Sequence, residues 1–327
     1  MRAIVCNTFG PPSSLTLEEV TLPEPGPKEV VVTVKASGVN FPDTLIIQGL
    51  YQFKPELPFT PGSDVSGIVK SVGEAVDPVR PGDEVFGFVL NGAFAEEVIV
   101  PANACFLKPP QMEHAIAASF MMAYGTSYHA LKDRGQLKKG ETLLVLGASG
   151  GVGLAAVALG KLMGATVIAA ASTDDKLALC AEYGADVLIN YTKEDLKSAI
   201  KKNTDGKGVD VVYDPVGGDY SEAAIRGMAW GGRYLIVGFA AGNIPKIALN
   251  LPLLKGCALV GVFWGSFAMK SPGQNQKNTM DLMKWYADGR IRPHIHQRYS
   301  LKEVPVALDD MMHRRVKGKA VIEMEEQ

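Results

Sequence analysis

Charge of one sign, paired cysteines and long apolar runs are all missing from this chain, and each absence removes a class of function. Its 33 Lys and Arg against 35 Asp and Glu leave a formal net charge of −2. A nucleic-acid binder needs a basic face to neutralise phosphates, so no nucleic-acid partner is expected. No stretch of about 18 consecutive apolar residues occurs, so no membrane span is expected. The four cysteines, Cys6, Cys105, Cys180 and Cys257, stand far apart, and no two share the short spacing of a zinc knuckle or a redox pair. They read as buried thiols of a reducing compartment. The opening segment MRAIVCNTFGPP meets Gly-Pro-Pro before it could form the apolar core of a secretion signal, so a cytoplasmic location is expected.

What the chain does have is two textures, and its 327 residues suffice for two domains. Residues 1–122 carry short β-type runs separated by Pro and Gly: VVVTVKASGV (30–39), VSGIVKSVG (65–73), DEVFGFV (83–89) and AEEVIV (95–100). Helical signals are sparse there, apart from the stretch after Asn40. From about residue 123 strands and helices alternate. TLLVLG (142–147), TVIAAA (166–171), VLIN (187–190), VDVVYD (209–214) and RYLIVG (233–238) are each followed by a helical stretch. Strands without polar alternation, each leading into a helix, predict an α/β domain with a parallel sheet covered on both faces. Beyond it come ALVGVFW (258–264), helices near 274–288 and 301–313, and VIEM (321–324) as a closing strand. If that strand pairs with the N-terminal β domain, the α/β domain is an insertion between two halves of the first.

The most informative motif is LLVLGASGGVGLAAV (143–157). Small residues between an apolar strand and a helix let the backbone approach a pyrophosphate, and the first amides of the helix point at it. In register the pattern is Ala148-x-Gly150-x-x-Gly153, with Ala148 replacing the first glycine. A binder of the unphosphorylated cofactor places an acid about 20 residues on, for the ribose hydroxyls. Here the second strand ends in AAASTDDK, and Ser172 stands 19 residues after Gly153 with Lys176 a turn later. A small hydroxyl and a cation suit a 2′-phosphate, which an acid would repel, and point to NADPH. The alternative makes Asp174 or Asp175 the ribose acid. Against it, both fall in the first turn of the next helix, where the helix dipole favours negative charge. Tyr191, just past the third strand, is either an adenosine contact or an ordinary strand-end tyrosine.

These motifs resemble the quinone oxidoreductase (zeta-crystallin-like) branch of the zinc-free medium-chain dehydrogenase/reductase superfamily. The resemblance runs through SGVNFPDTLIIQGLY (37–51), LPFTPGSDVSGIVKSVG (57–73), RPGDEVFGF (80–88), AYGTSYHAL (123–131), GADVLINY (184–191), VVYDPVGG (211–218) and GGRYLIVGFAAG (231–242). It implies a GroES-like catalytic domain over 1–122 and 266–327, and a Rossmann domain over 123–265. It also implies a homodimer or a dimer of dimers, and the strand near 258–264 could extend the sheet across two subunits. In the zinc alcohol dehydrogenases of the superfamily, the catalytic ligands correspond to Asn40 and to Ser63-Asp64, and the four-cysteine structural-zinc lobe is missing between Val85 and Val98. Without thiolate or imidazole there is no soft tetrahedral set, so no metal is expected.

An acceptor that takes hydride without a Lewis acid must spread the charge itself, as quinones and α,β-unsaturated carbonyls do. The resemblance implies Asn40 and Tyr51 as the catalytic candidates flanking the nicotinamide, with Tyr51 also a cofactor contact. Asn40 has a structural alternative, capping the helix that starts there, and Asp43 shares it. For the cofactor, the resemblance implies Thr126, then Ser149, Gly150, Gly151 and Val152 at the pyrophosphate, and Val216 and Gly217 after the fourth strand. It adds Val237, Gly238, Phe239 and Ala240, and then Phe263, Trp264 and Gly265, whose backbone would face the carboxamide. Core packing is the alternative for Phe263 and Trp264. His294 and His296 share a strand face but have no third ligand nearby, and His313 sits in HRRVKGK, a basic run that reads as a solvated helix end. Three functions stay open: a quinone reductase, a reductase of conjugated double bonds (enone, alkenal or enoyl thioester), and an NADPH-binding protein without turnover.

Overall fold

The strand Glu29–Val39 organises the first part of the molecule. In the computed structural model, which describes residues 1–325, one edge of this strand pairs antiparallel with Asp64–Val72. The other edge is shared: residues 29–33 bond to Glu97–Pro101, and residues 36–39 to Lys319–Glu323. Side chains alternate along a strand, and here the alternation feeds a core. Val30, Val32 and Val34 pack with Val65, Val69 and Val85, while Val39 joins a second core with Ile4, Ile47, Phe94 and Ile322. Glu84–Phe88 and Cys105–Leu107 continue the sheet on one side, and Ile295–Ser300 flanks Lys319–Glu323 on the other.

The closing strand therefore pairs with the N-terminal sheet, and the α/β part is an insertion. Two compact units result: Met1–Met122 with the chain from Pro293 on, and Ala123–Arg292.

In the second unit six strands lie in the spatial order Val187–Asn190, Thr166–Ala171, Thr142–Leu146, Val209–Asp214, Met228–Ile236, Ala258–Gly261, all parallel. This is the doubly wound 3-2-1-4-5-6 order, and it reverses between Thr142–Leu146 and Val209–Asp214, where such sheets bind ligands. Leu143, Leu144, Val145 and Leu146 are all fully buried, as expected of a strand with helices on both faces.

Two features differ from the sequence-based expectation. The second boundary falls at 292/293 instead of 265/266, because the helix Pro272–Ala287 belongs to the α/β unit. Side chains tie it there: Tyr128 donates to Asp281 at 3.0 Å, Lys132 to Asn278 at 3.0 Å, and Asn278 to Asp133 at 2.8 Å. Polar ties between distant helices leave no periodic trace in a sequence. The strand expected over 258–264 stops at Gly261, and Trp264 begins the helix Trp264–Lys270. Among the described residues no helix is long and apolar enough to cross a membrane.

Candidate functional site

The glycine turn has the geometry that its sequence requires. Gly147 ends the first strand of the α/β unit at φ +56°, in the left-handed region. The amide of Gly150 donates to the Gly147 carbonyl at 3.0 Å and closes the turn. A Cβ on Gly153 would lie 2.3 Å from that same carbonyl oxygen, so only glycine lets helix and strand approach so closely. The helix Gly151–Leu162 then begins with no side-chain cap and no acid in its first turn. Its positive end is left for an anion, and the turn fits a pyrophosphate. Ser149 is buried in the turn, while Gly150, Gly151 and Val152 are partly exposed. Thr126, also buried, opens the short helical segment Thr126–Tyr128.

Adjacent strand ends assemble the second cluster. Lys176 reaches the Ser172 hydroxyl at 3.5 Å, the Tyr191 amide donates to Ala171 at 3.3 Å, and Thr192 donates to the Ser172 carbonyl at 3.0 Å. Ser172, Lys176 and Tyr191 are thus neighbours, with the Tyr191 ring against Tyr220 at 4.3 Å. Asp174 and Asp175 lie in the first turn of the helix Asp174–Glu182. Asp174 accepts from Asn190 and Lys193, each at 2.6 Å, and Lys193 holds its carboxyl below the usual carboxylate range.

A third cluster forms around Asp214, which sequence reasoning did not single out. This buried carboxylate accepts the amides of Val216 at 2.7 Å and Gly217 at 2.8 Å, and hydroxyls from Ser221 and Tyr234. Burial and the Asp214 charge push the Tyr234 phenol well up, so it stays a donor. The amides of Val216 and Gly217 are therefore committed, and any ligand contact there uses carbonyl or side-chain atoms. The segment Val237, Gly238, Phe239 and Ala240 is stapled alongside: Val237 and Gly238 donate to the Asp214 carbonyl, and Ala240 to that of Pro215. Phe263 is 53% exposed, so core packing does not explain it. Trp264 is the reverse case. It is buried, donates to Asn275 at 3.0 Å, and packs on Gly125, where a Cβ would sit 2.9 Å from the indole. Gly265 follows it, partly buried.

In the first unit Asn40 precedes the helix Phe41–Ile46 and lies almost wholly buried. Its amide N–H donates to the Asp43 carboxylate at 2.8 Å, so the capping bond comes from Asp43. The Asn40 side chain is used elsewhere. Its Nδ2 donates to Asp64 Oδ2 at 3.1 Å and lies 3.5 Å from Ser63 Oγ, and its Oδ1 accepts from Lys319 Nζ. Ser63 in turn donates to Asp43 at 3.3 Å. Burial pushes Asp43 up to about 7, against the pull of the Asn40 amide and the Lys319 charge. Tyr51 is half-buried against the core cluster that contains Val39 and Ile47. Its phenol is pushed up by burial and then by the Asp43 charge, so it too remains a donor.

Lys319 corrects the reading of HRRVKGK as a solvated run. It is 4% exposed, whereas Arg315 in the same run is exposed and pairs with Asp309 and Asp310 at 2.5 Å. The only hint in the sequence was that Lys319 leads directly into the apolar strand AVI.

Comparison with known proteins identifies the family. Residues 26–110 match the alcohol dehydrogenase GroES-like domain, and residues 151–285 match the family described as zinc-binding dehydrogenase. The second match covers the dinucleotide half and includes none of Asn40, Ser63 or Asp64. The chain is 38% identical over 325 residues to the quinone oxidoreductase-like protein 2 homolog of Nematostella vectensis, covering 98% of this chain and 88% of that protein. Its fold matches the quinone oxidoreductase of Escherichia coli complexed with NADPH at a TM-score of 0.94, with 29% identity over 99% of this chain and all of the other. It also matches the CurF ER cyclopropanase of the curacin A biosynthetic pathway at 0.89, with 26% identity over 99% of each chain. With identity above 30% along nearly its whole length, on a GroES-like sheet interrupted by a Rossmann domain, the chain belongs to the quinone oxidoreductase branch of the medium-chain dehydrogenase/reductase superfamily.

Proposed function

We propose that this protein is an NADPH-dependent reductase that delivers hydride, without zinc, to a quinone or a related electrophile. One observation carries the choice of cofactor: Ser172 and Lys176 meet where an acid would stand for an unphosphorylated ribose, while Asp174 is tied to Lys193. Bound NADPH supplies the hydride. The chain supplies position: the turn at Ser149, Gly150, Gly151 and Val152 holds the pyrophosphate, and Ser172, Lys176 and Tyr191 hold the phosphorylated adenosine end. Thr126, Val216, Gly217, the 237–240 segment and 263–265 take the ribose and nicotinamide.

On the first unit, Tyr51 keeps its proton and donates to the oxygen that gains charge on the acceptor. Asn40 has its carboxamide engaged on every side, so it contributes as fixed support and not as a free donor. The amide, hydroxyl and carboxylate at 40, 63 and 64 lack the soft ligands that zinc takes up, which fits an acceptor activated by its own conjugation.

A second reading, reduction of an α,β-unsaturated carbonyl, draws on the shared fold of the CurF ER cyclopropanase, which ties this frame to no single acceptor. Oxidation of NADPH measured against 1,4-benzoquinone, 9,10-phenanthrenequinone, 2-cyclohexenone, an alkenal and crotonyl-CoA separates the readings. Turnover of the quinones alone supports the first, and turnover of the enones or thioester alone replaces it with the second. Binding of NADPH without oxidation by any of them replaces both with a non-catalytic role.

The same reading places the protein in the cytoplasm as a homodimer or dimer of dimers. The edge strand Ala258–Gly261 supports the oligomer, since it is largely exposed, as are Leu253 and Leu254 shortly before it in the chain, each at least 70% exposed. Light scattering on the purified protein tests it, and a monomer at micromolar concentration would remove it.

A further inference from the structure

Lys319 is expensive to bury. Moving an ammonium out of water costs several kcal/mol, and a buried pair is often no more stable than apolar residues of similar size. Yet the fold goes to some length to place this one. Gly318 has φ +69°, and a Cβ there would lie 2.5 Å from the His294 carbonyl, so the glycine permits the turn that sends Lys319 inward. Its Nζ then donates to the Val39 carbonyl at 3.0 Å and to Asn40 Oδ1, with Asp64 Oδ2 at 3.5 Å.

The chemistry of the two charged groups fixes the carboxamide between them. An ammonium only donates, so it meets the Asn40 oxygen; a carboxylate only accepts, so Asp64 meets the Asn40 NH2. Turning the amide over would set NH2 against ammonium and oxygen against carboxylate, losing both bonds at once. Asp64 is itself held by the Met122 amide at 3.2 Å, and Ser37 donates to its backbone carbonyl at 2.8 Å.

We propose that Lys319 is a positioning residue for the reductase reaction: its buried ammonium, together with Asp64, locks the Asn40 carboxamide in one orientation and so fixes the polar wall formed with Ser63 and Asp43. The assignment deepens the reductase reading and rests on it for its kinetic consequence, but its structural half stands apart. Acting through Asn40, Lys319 governs the rate and not the hold on the cofactor, whose pyrophosphate turn and 2′-phosphate pocket are built from other residues.

The test uses the full chain as Lys319→Met, Asn40→Ala and the double variant, with Lys319→Gln as a second neutral replacement should the methionine variant fail to fold. Three quantities are read: kcat with NADPH and 9,10-phenanthrenequinone, the NADPH dissociation constant, and the Asn40 side-chain amide resonance, assigned by its loss in Asn40→Ala. The expected result is a fall in kcat of about tenfold or more for Lys319→Met, with the NADPH constant within about twofold. The double variant is then no slower than Asn40→Ala, because one residue works through the other. The Asn40 amide signal shifts or broadens when Lys319 is replaced. Multiplying losses in the double variant, or an Asn40 signal unmoved by Lys319→Met, would overturn the proposal. If the wild type fails to oxidise NADPH with any acceptor, the reductase reading falls, and the amide resonance still decides whether Lys319 orients Asn40.

Discussion

The phenol of Tyr213 donates to the hydroxyl of Ser127 across 2.9 Å, because the single proton of Ser127 is already given to the Val152 carbonyl at 2.8 Å. The chain of bonds joins the fourth strand of the parallel sheet to the first turn of the dinucleotide helix. Both hydroxyls are buried, and burial pushes the Tyr213 phenol well above its ordinary value, which keeps it a donor. Tyr213→Phe leaves the Ser127–Val152 bond in place and removes one buried partner. The expected cost is about 1 to 2 kcal/mol of unfolding free energy by chemical denaturation, with little change in NADPH affinity. Ser127→Ala instead frees the Val152 carbonyl and disturbs the turn, so it should weaken NADPH binding more than Tyr213→Phe does. Equal effects of the two on affinity would show that the turn does not depend on this link.

Lys176 and Ser172 lie 3.5 Å apart at the end of the second strand of the α/β unit. A cation that meets a phosphate contributes about 1.5 to 3 kcal/mol, so Lys176→Ala should raise the NADPH dissociation constant by roughly 10- to 100-fold. NADH has no 2′-phosphate, and its constant should move by less than about twofold. Fluorescence titration of both cofactors against the variant measures the difference. Equal losses for the two would place the phosphate elsewhere.

How much of this was legible in the sequence follows from how local each signal is. The turn at 147–153 was readable because strand, glycines and helix are consecutive, and Ser172 because its distance from that turn is set by one helix and one strand. The closing strand was readable from the three apolar residues of VIEM, though not its partner strand, which lies about 280 positions away. Lys319 was misread because a lysine among basic residues carries no mark of the carboxylate that meets it through the fold. Asp214 was overlooked for the same reason: Ser221 and Tyr234 reach it from 7 and 20 residues along the chain. For Asn40 the resemblance offers a catalytic role and its neighbours offer a cap, but neither signal points to the side-chain partners Asp64 and Lys319, which are 24 and 279 residues away.

Gly153→Ala tests the contact between turn and helix. The added methyl would meet the Gly147 carbonyl at 2.3 Å and the Ala148 backbone at 2.9 Å, and backbone on both sides leaves no flexible atom to give way. Relief requires the helix Gly151–Leu162 to move off the strand, which costs about 1 to 3 kcal/mol for overpacking and displaces the first-turn amides. A loss of NADPH affinity should therefore accompany a fall in melting temperature. Gly150→Ala makes the comparison, since a Cβ there meets only the Gly147 oxygen, at an ordinary 3.4 Å. Its melting temperature should stay close to that of the wild type, and a drop as large as that of Gly153→Ala would refute the steric account.

Asp43 gives the fold a pH dependence whose sign differs from that of a surface carboxylate. Burial raises it to about 7, whereas an unfolded aspartate titrates near 3.9. Over the interval between those values the folded state holds a proton that the unfolded state has released. The contribution of Asp43 to stability is therefore complete below about pH 4 and is lost as pH rises through about 7. Asp43→Asn keeps an oxygen to accept from the Asn40 amide and removes the titration. The difference in unfolding free energy, wild type minus variant, should fall by on the order of 2 kcal/mol between pH 5 and pH 7 and then level off. Denaturant titrations of both proteins at matched pH measure it directly. A difference that stays constant, or grows with pH, would mean that Asp43 is ionised throughout, with Lys319 and the Asn40 amide outweighing the cost of its burial.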